Sequence, residues 1–542
     1  MFGCNLVGLL TIITVAFAAT HIPTFPDTYH AKGIVRLPYA ELKEPYEIWY
    51  DGPNKNSRID WYGGMDKTYA LGDSLQFKYY YYDGKKQCAR LNGAGLQTIL
   101  PDLTGYKYNG LHKVEGCKNK CHMLQSQTLN GQQNSTYRFY YEFDEAGNAI
   151  PRLFWWFGWD KLLGSHFDRY DITYEGFDKN ISAGTFNITG SCTNGYPKKV
   201  HSELEKEFAL NPLDHYMKKD SQRKIHKIFL HYKQKFSKQY SSRKEHSARF
   251  ANFVKHLRFV HGKNRAGLSY ELAINHLADL HDHELDLMSG GRKQKNEHNN
   301  DHIYDPDASW YDKTKFLESN VLPDSWDWRH YGAVTPVKDQ AICGSCWSFG
   351  SAENLEGAFF KKHGYLVYLS QQQLVDCSWS YGNTGCDGGF YGNTFKYLTD
   401  FGGIQTELSY GPYLGQNGIC HSNKSKIALS VTGYTRVPTQ DNLALQSALV
   451  EIGPIGISIN SATKSFYFYS RGVYDDTACK GDRNDLDHSP LLAGYGVLDG
   501  QPYWLVKNSW SNYWGDDGYV LVARNTDYIC GVSTRPVYGI VD

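Results

Sequence analysis

A cysteine, a histidine and an asparagine in the C-terminal part of the chain have the residue types that nucleophilic catalysis requires. Cys346 begins a stretch of apolar residues at helical spacing that closes near Gly364, so it stands at the start of a predicted helix. The free N–H groups and positive dipole end of a helix terminus favour thiolate over thiol. Downstream, His488 could serve as general acid and base, and Asn508 could hold its other ring nitrogen.

The surroundings of these residues support that chemistry but leave alternatives open. Asn508 lies between Trp504 and Trp510, whose indoles can keep water away from a hydrogen bond. Any one of 21 histidines is more often structural than catalytic, and an asparagine can also serve at the edge of a core strand. Cys343 offers a third interpretation, a redox Cys-x-x-Cys pair with Cys346.

Length and composition limit the class of protein. A chain of 542 residues predicts two to four domains. The formal net charge of zero gives no indication of nucleic acid or an anionic membrane as a partner, and no segment after the N-terminus reaches a transmembrane length. The 42 tyrosines and 13 tryptophans favour β-rich packing.

The N-terminus and the cysteines indicate the secretory pathway. Residues 1–18 have the short apolar run and small-residue cleavage site of a signal peptide. Of twelve cysteines, Cys4 leaves with that segment, and setting Cys346 aside leaves ten for five disulfides. Four of these ten lie early, at Cys88, Cys117, Cys121 and Cys192, with their pairing open. Glycosylation sequons stand at Asn134, Asn180, Asn187 and Asn423.

Residues 19–202 predict an antiparallel β domain, either a sandwich or a half-open barrel. Alternating runs such as 75–82 and 153–159 are separated by glycine-containing turns. The aromatic run 154–157 could line an apolar ligand pocket, although burial in the domain's own core is the more ordinary interpretation. No catalytic group of residues is evident in this domain.

The middle of the chain changes character. Residues 203–290 are charged, lack cysteine and predict helices, with one stripe from Glu245 through Arg249 and His256 to Asn264 on a single helix. Residues 270–279 alternate like a short strand. Residues 291–320 predict an exposed linker that carries the activation cleavage site, near 320–322.

Residues 321–542 are enough for a domain of two lobes with a cleft between them. A helical part comes first, and strands and turns follow beyond Val431. The predicted class is α+β, with a helical lobe followed by a β-barrel lobe.

At this point a resemblance to a known family becomes specific. The run Gln340 to Trp347, the strand that His488 opens, and the Asn-Ser-Trp block at Asn508 resemble the papain family of cysteine peptidases, in the family's order. The Glu245–Asn264 stripe resembles the helical signature of cathepsin L-type propeptides, with His256 in place of the usual asparagine. The β domain is not typical of cathepsin L. The resemblance implies a papain-like, two-lobed peptidase preceded by a helical inhibitory propeptide.

The resemblance also implies a role for each matching residue. Cys346 would be the nucleophile in an ion pair with protonated His488, Asn508 would orient the imidazole, and Gln340 would donate to the oxyanion. Ala341 replaces the usual glycine and predicts a small backbone adjustment. The implied disulfides are Cys343–Cys386, Cys377–Cys420 and Cys479–Cys530. The implied substrate-binding residues are Gly388, Gly389, Phe390, Tyr391, Leu486, Asp487, Trp510 and Arg535.

One residue of that set leads to a hypothesis about specificity. Arg535 would lie at the floor of the S2 pocket, which receives the second substrate residue before the scissile bond (P2). Turned inward, it would narrow the pocket or admit an acidic side chain; turned outward, it would meet solvent, as arginine usually does.

Opposite charge predicts that the propeptide docks on the peptidase. Residues 203–290 contain 16 Lys and Arg against 11 Asp and Glu, whereas residues 321–542 contain 15 against 21. Protonation of carboxylates would weaken this docking, so we expect latency at neutral pH and release in acid.

The resulting interpretation is a secreted or lysosomal endopeptidase made as a zymogen, found extracellularly, in lysosomes or in secretory granules. It needs no metal or other cofactor. Its partners are protein or peptide substrates, its own propeptide and the cleaved β domain as a retained chain, with no nucleic acid and no membrane. In the alternative interpretation, the β domain binds a ligand and the peptidase is auxiliary.

Overall fold

The structure is a computed structural model that describes residues 22–82, 85–92, 95–195, 209–218, 221–290, 309–524 and 528–542. The proposed signal peptide lies outside these ranges, as does most of the predicted linker. Along the chain, a strand-rich domain comes first, a helical segment follows, and a domain of helices and strands comes last. No helix in the described ranges is both long and apolar enough to cross a membrane.

The N-terminal domain is one 13-stranded sheet. Its strands are β1 Thr28–Leu37, β2 Leu42–Asp51, β3 Asn56–Trp61, β4 Asp66–Leu71, β5 Leu75–Tyr82, β6 Lys85–Asn92, β7 Lys107–His112, β8 Cys121–Asn130, β9 Gln133–Phe143, β10 Ala149–Asp160, β11 Ser165–Thr173, β12 Gly176–Asp178 and β13 Thr193–Asn194. The order is β13-β6-β5-β4-β3-β2-β1-β11-β10-β9-β8-β7, with β12 on β1. All pairings are antiparallel except β13 with β6.

The pairing of the early cysteines, which the sequence left open, is Cys88–Cys192 and Cys117–Cys121.

The aromatic run on β10 alternates between the two faces of the sheet, as strand geometry requires. Phe154 and Trp156 are buried in the core of the domain. Trp155 and Phe157 point to the opposite face, where they stack on each other and Arg138 lies over the Trp155 ring. Two of the four aromatic residues, Phe154 and Trp156, therefore belong to the domain's own core and do not line a ligand pocket.

The predicted propeptide is helical. Its helices are Asp214–Met217, Ser221–Lys235, Arg243–Asn264 and Asp282–Met288. The long helix is capped by Ser242, whose hydroxyl accepts from the main-chain N–H of Glu245. The predicted strand at 270–279 is shorter than expected: only β14, Tyr270–Leu272, pairs with the peptidase sheet, because a turn begins at Asn275.

Residues 309–319, predicted to be exposed linker, are ordered against the last domain of the chain. Strand β15, Ser309–Trp310, pairs with β19, and the helix Lys313–Ser319 follows. Tyr311 and Phe316 are buried, and the Tyr311 hydroxyl donates to Glu451. The sequence did not indicate these two buried residues, because the segment around them is mostly polar. The predicted cleavage segment beyond them is exposed, and Val321 is 94% accessible.

The last domain has the predicted order, helices first and strands later. Its helices are Cys346–His363, Gln371–Cys377, Tyr391–Phe401, Glu407–Tyr410, Asn442–Ile452 and Lys464–Tyr467. Its strands are β16 Trp326–Asp327, β17 Ile404–Gln405, β18 Ile427–Leu429, β19 Val431–Arg436, β20 Ile455–Gly456, β21 Tyr469–Tyr474, β22 Leu491–Leu498, β23 Gln501–Lys507, β24 Tyr519–Ala523 and β25 Val537–Val541. The main sheet runs β14-β21-β24-β23-β22-β20-β25-β19-β15, with β16 on β22.

The helix Arg243–Asn264 lies between the β domain and the last domain of the chain. On the β-domain side, Arg258 is 2.8 Å from the Asp168 carboxylate, and Arg265 is 2.6 Å from Glu44; all four side chains are buried. On the other side, His256 packs against Phe468 of the last domain. One helix is thus held by both domains.

Candidate active site

Cys346 is the first residue of the helix Cys346–His363, where the sequence predicted it. Among the described residues it is the free cysteine, because Cys343 forms a disulfide with Cys386. The redox interpretation of the Cys-x-x-Cys pair is therefore wrong. The other two late disulfides, Cys377–Cys420 and Cys479–Cys530, are also the pairings that the resemblance implied.

His488 and Asn508 come together although twenty residues separate them. The Nε2 of His488 is 2.7 Å from the Oδ1 of Asn508. Trp510 lies over the imidazole, with ring centres 4.9 Å apart, and is completely buried. This indole shields the hydrogen bond from water, and its place among the substrate-binding residues stays a prediction.

His488 forms an isolated bridge before β22, and this position brings its neighbours to the thiol. Main-chain hydrogen bonds with Ile459 hold His488 at the start of the β lobe. Ser489, the next residue, hydrogen-bonds Cys346 through its main chain and its side chain. The Nδ1 of His488 is buried and has no hydrogen bond within the described part of the chain. The nitrogen not held by Asn508 thus remains available for proton transfer.

A buried ion pair anchors the asparagine strand to the nucleophile helix. Lys507, the residue before Asn508, donates to Glu353 of the helix at 2.7 Å and to Thr335 at 3.2 Å. Both charged side chains are almost wholly inaccessible. The pairing fixes Asn508 relative to the helix that carries Cys346. This ion pair has no local signal in the sequence, because Glu353 and Lys507 lie far apart along the chain.

Gln340 faces the start of the same helix. Its Nε2 donates to the main-chain carbonyls of Met288 and Cys343, both at 2.8 Å, and its Oε1 accepts from Ser509. The next residue, Ala341, lies in the loop before the helix and has a φ of 54°, in the left-handed region that favours glycine. This strained φ is the backbone adjustment expected where alanine replaces glycine. The amide predicted to bind an oxyanion is thus occupied by the propeptide.

The propeptide segment after Met288 passes directly over the thiol. A Cβ built on Gly290 would lie 3.7 Å from the Cys346 sulfur and 2.7 Å from the carbonyl oxygen of Asp487. Gly388 faces the same segment: a Cβ built on Gly388 would lie 3.2 Å from the carbonyl oxygen of Gly290. Ser289 is held by the hydroxyls of Ser461 and Tyr467. This segment therefore fills the cleft.

Burial under the propeptide determines the protonation of the pair. Burial raises the pKa of the Cys346 thiol to about 12, and hydrogen bonds from Ser489 oppose this only in part. Burial also lowers the pKa of His488 to about 4. Both shifts favour a thiol beside a neutral imidazole while the cleft is covered. The ion pair between Cys346 and His488 stays a prediction for the activated enzyme.

The remaining predicted binding residues fall into two groups. Gly389 packs against Trp347, the Asp487 carboxylate accepts from Ser461, and Leu486 packs on Gly531. Phe390, Tyr391 and Arg535 line a cavity of about 400 Å³. Of the two orientations considered for Arg535, inward and outward, the structure has the inward one. Two further arginines of the cavity, Arg436 and Arg483, had no signal in the sequence.

The predicted glycosylation sites lie on the β domain and the helical lobe. Asn180, Asn187 and Asn423 are exposed, and Asn134 is half-buried on β9.

Comparison with known proteins agrees with this geometry. Residues 322–540 match the family described as Papain family cysteine protease, and residues 229–285 match the Cathepsin propeptide inhibitor domain (I29). The chain belongs to the papain family and is a cysteine peptidase made as a proenzyme, with an intramolecular inhibitory domain.

Several similar proteins carry the name cathepsin L. Cathepsin L1 of Drosophila melanogaster is 43% identical over 287 residues, which is 52% of this chain and 74% of the relative. The Cathepsin L-like peptidase of Aedes aegypti is 46% identical over 278 residues, which is 50% of this chain and 79% of the relative. The solved structure of digestive procathepsin L 3 from Tenebrio molitor larval midgut has a TM-score of 0.52 and 33% identity, and it covers 58% of this chain and 98% of that one. Both family matches begin after the β domain.

Proposed function

We propose that this peptidase is a secreted or lysosomal endopeptidase that cleaves peptide bonds through a Cys346–His488–Asn508 thiolate mechanism. The observation that carries the proposal is the His488–Asn508 hydrogen bond, which leaves Nδ1 for the thiol at the start of the helix. The role of each residue follows from what its atoms can donate, accept or hold.

The proposed reaction proceeds through an acyl-enzyme. His488 takes the thiol proton, the Cys346 sulfur attacks the scissile carbonyl carbon, and the protonated imidazole then gives its proton to the leaving amine as the C–N bond breaks. Water next loses a proton to His488 and attacks the thioester, which releases the acid and restores the thiol. The Gln340 amide and the Cys346 N–H would stabilise the oxyanion by about 3 kcal/mol for each donor.

Latency follows from the propeptide's position. Met288 occupies the Gln340 donor, Gly290 covers the sulfur, and burial keeps the thiol protonated. The proposal also divides the chain into functional segments. Residues 1–18 are a signal peptide, 19–202 an accessory domain and 203–290 the propeptide, and activation cleaves within 291–320. Protein or peptide substrates, and the cleaved β domain as a retained chain, are its partners.

An active-site thiol probe tests the proposed mechanism. After acid activation, a peptidyl epoxide is expected to label Cys346, and Cys346→Ala and His488→Ala are expected to abolish hydrolysis of a fluorogenic peptide. His330→Ala is the matched control, because the His330 side chain is 80% exposed. Labelling of another residue, or undiminished hydrolysis by Cys346→Ala, would contradict the mechanism.

A further inference from the structure

An aromatic row lies on the open face of the β domain, away from its core. The row consists of Trp155, Phe157 and Trp159 on β10 and His166 on β11. Trp155 stacks on Phe157 with ring centres 5.2 Å apart. The His166 ring continues the row, because its centre lies 4.1 Å from that of Phe157 and 5.0 Å from that of Trp159. Since alternate residues of β10 face the core, these rings form one strip on the opposite face.

The two ends of the aromatic row differ in what covers them. At one end, the guanidinium groups of Arg138 and Arg169 lie over the Trp155 ring, 4.8 Å and 6.0 Å from its centre. At the other end, Trp159 is 37% accessible, and Leu129 on β8 is 65% accessible. Contiguous apolar surface that stays exposed marks a place where another group binds. The end at Trp159 is therefore the part of the row that is open to contact.

A glycosylation sequon lies at that open end. Asn134 is directly opposite Trp159 in the β9–β10 pairing and directly opposite Leu129 in the β8–β9 pairing. Directly opposed residues of antiparallel strands project from the same face, with Cβ atoms about 5 Å apart. The Asn134 side chain therefore lies between the two exposed apolar side chains. Thr136, the last residue of this Asn-Ser-Thr sequon, is opposite Phe157 on the same face.

We propose that an N-linked glycan on Asn134 packs on the Trp159 end of the aromatic row and covers it. The group that occupies this face is thus a covalent modification of the chain itself, beginning with the N-acetylglucosamine that is joined to the asparagine amide. The proposal rests on the proposed function, because the sugar is attached only to a chain that passes through the secretory pathway.

The sugar and the indole are complementary in charge and in polarity. One face of a pyranose ring consists of C–H groups with partial positive charge, whereas the face of an aromatic ring is negative. Packing these two faces also removes apolar area from water. The sugar hydroxyls remain on the outer side, near the exposed Gln127, which is opposite Thr136 in the β8–β9 pairing. The glycan therefore replaces an apolar strip with a polar surface.

The hairpin between β8 and β9 leaves room for the modification. Gly131 and Gln132, which join the two strands, are both exposed, and Gly131 has a φ of 59°. Asn134 follows this turn closely, so it lies near the end of the sheet. The first sugar can contact Trp159 while the remaining sugars extend beyond the turn into solvent.

Site occupancy and tryptophan protection test the proposal. The full-length precursor is secreted from eukaryotic cells, its glycopeptides are mapped by mass spectrometry, and the folded protein is oxidised briefly with hydroxyl radicals. We expect a glycan on Asn134, and we expect oxidation of Trp159 to rise severalfold in Thr136→Ala, which lacks the sequon. Thr136→Ser keeps the sequon and is expected to keep the protection.

The controls separate coverage of the row from general effects of losing a glycan. Asn180→Gln removes a sequon at an exposed position after β12, outside the row, and is expected to leave the oxidation of Trp159 unchanged. Trp379 of the last domain, which is 44% accessible, is the internal reference for radical dose. If Thr136→Ala does not fold, wild-type protein treated with a peptide N-glycosidase under native conditions supplies the same comparison.

The outcomes distinguish this proposal from the proposed function. Glycans on the other sequons with Asn134 bare, or equal oxidation of Trp159 with and without its glycan, would overturn the proposal and leave the proposed peptidase function intact. A secreted precursor with no glycan on any of its sequons would contradict the secretory part of the proposed function as well. Light scattering identifies a competing occupant, because protection of Trp159 in a dimer that lacks the glycan would assign the row to a second copy of the chain.

Discussion

The Gln340 side-chain amide donates to the main-chain carbonyl of Met288 at 2.8 Å. Gln340 belongs to the peptidase and Met288 ends the last propeptide helix, so one hydrogen bond links the proposed oxyanion donor to the inhibitor. The two residues that follow, Ser289 and Gly290, continue over the thiol. Inhibition thus occupies the same atoms that a substrate carbonyl would need.

Gly290→Ala is expected to weaken latency. Gly290 has a φ of 76°, and a Cβ there would approach the Asp487 carbonyl to 2.7 Å, so alanine adds backbone strain and a collision. Strain of about 1–2 kcal/mol in the docked segment predicts activation about tenfold faster at a given acid pH. The rate is measured by the appearance of peptidase activity from purified precursor.

The control for this variant is Gly116→Ala, at a φ of 87° in the β domain with open space around it. It carries the same backbone strain without contact to the cleft. Equal activation rates for the wild type, Gly290→Ala and Gly116→Ala would mean that the close fit of Gly290 does not contribute to inhibition.

His256→Asn is expected to move activation to lower pH. The His256 ring is buried against Phe468, and its Nδ1 is 2.9 Å from the Ala278 carbonyl oxygen. Burial lowers its pKa to about 3, and Lys255 and Lys464 act in the same direction against Asp282. Because the folded-state pKa lies below the unfolded value of about 6.5, the stabilising contribution is present at neutral pH and is lost as pH falls below about 6.5.

At pH 4.5 this one group lowers the stability of the docked propeptide by about 3 kcal/mol relative to neutral pH. Asparagine does not titrate and can still donate to the carbonyl of Ala278. Activation midpoints are measured across pH 4–7, with the exposed His231→Asn as control. A midpoint unchanged by His256→Asn would assign the acid response to other groups, such as His276, whose pKa burial lowers to about 4.

Asp168→Asn is expected to destabilise the precursor. Asp168 and Arg258 form a buried pair between the β domain and the propeptide helix, and Arg258 also lies over the Tyr170 ring. Asparagine leaves the guanidinium buried without its counter-charge, at a cost of about 3 kcal/mol. Denaturant unfolding of the precursor measures the loss.

The matched control is Glu115→Gln, which removes the partner of Arg36 in a pair whose carboxylate is 78% exposed. A much smaller loss is expected there, because solvent screens the charges of an exposed pair. If Asp168→Asn costs no more than Glu115→Gln, the β domain does not hold the propeptide through this pair.

Asn508→Ala is expected to lower kcat/KM on the order of 100-fold in the activated enzyme. Without the 2.7 Å hydrogen bond, the His488 ring can rotate and Nδ1 loses its fixed direction for proton transfer. Hydrolysis of a P2 Leu peptide is measured after active-site titration, with the exposed Asn512→Ala as control. Activity equal to that of the control would remove Asn508 from the mechanism.

Local patterns were sufficient to predict much of this architecture. The helix at Cys346, the order of helices and strands in the peptidase and the helix Arg243–Asn264 were predicted because apolar spacing and terminal residues are local features. The strand at 270–279 was overestimated because alternation does not show where a turn begins. The anchors Tyr311 and Phe316 were missed because their partners on another helix and strand are remote in sequence.

By itself, the sequence determined which side chains were available for catalysis and where a helix terminus would place the thiol. Only the tertiary structure decided that Arg436, Arg483 and Arg535 share a cavity and that Met288 reaches Gln340. It also placed Cys346 beneath Gly290, where burial raises the pKa of a thiol whose helix position favours the thiolate. The physical reason is that desolvation and convergence of charge depend on which remote segments exclude water from a site, and spacing along the chain does not contain that information.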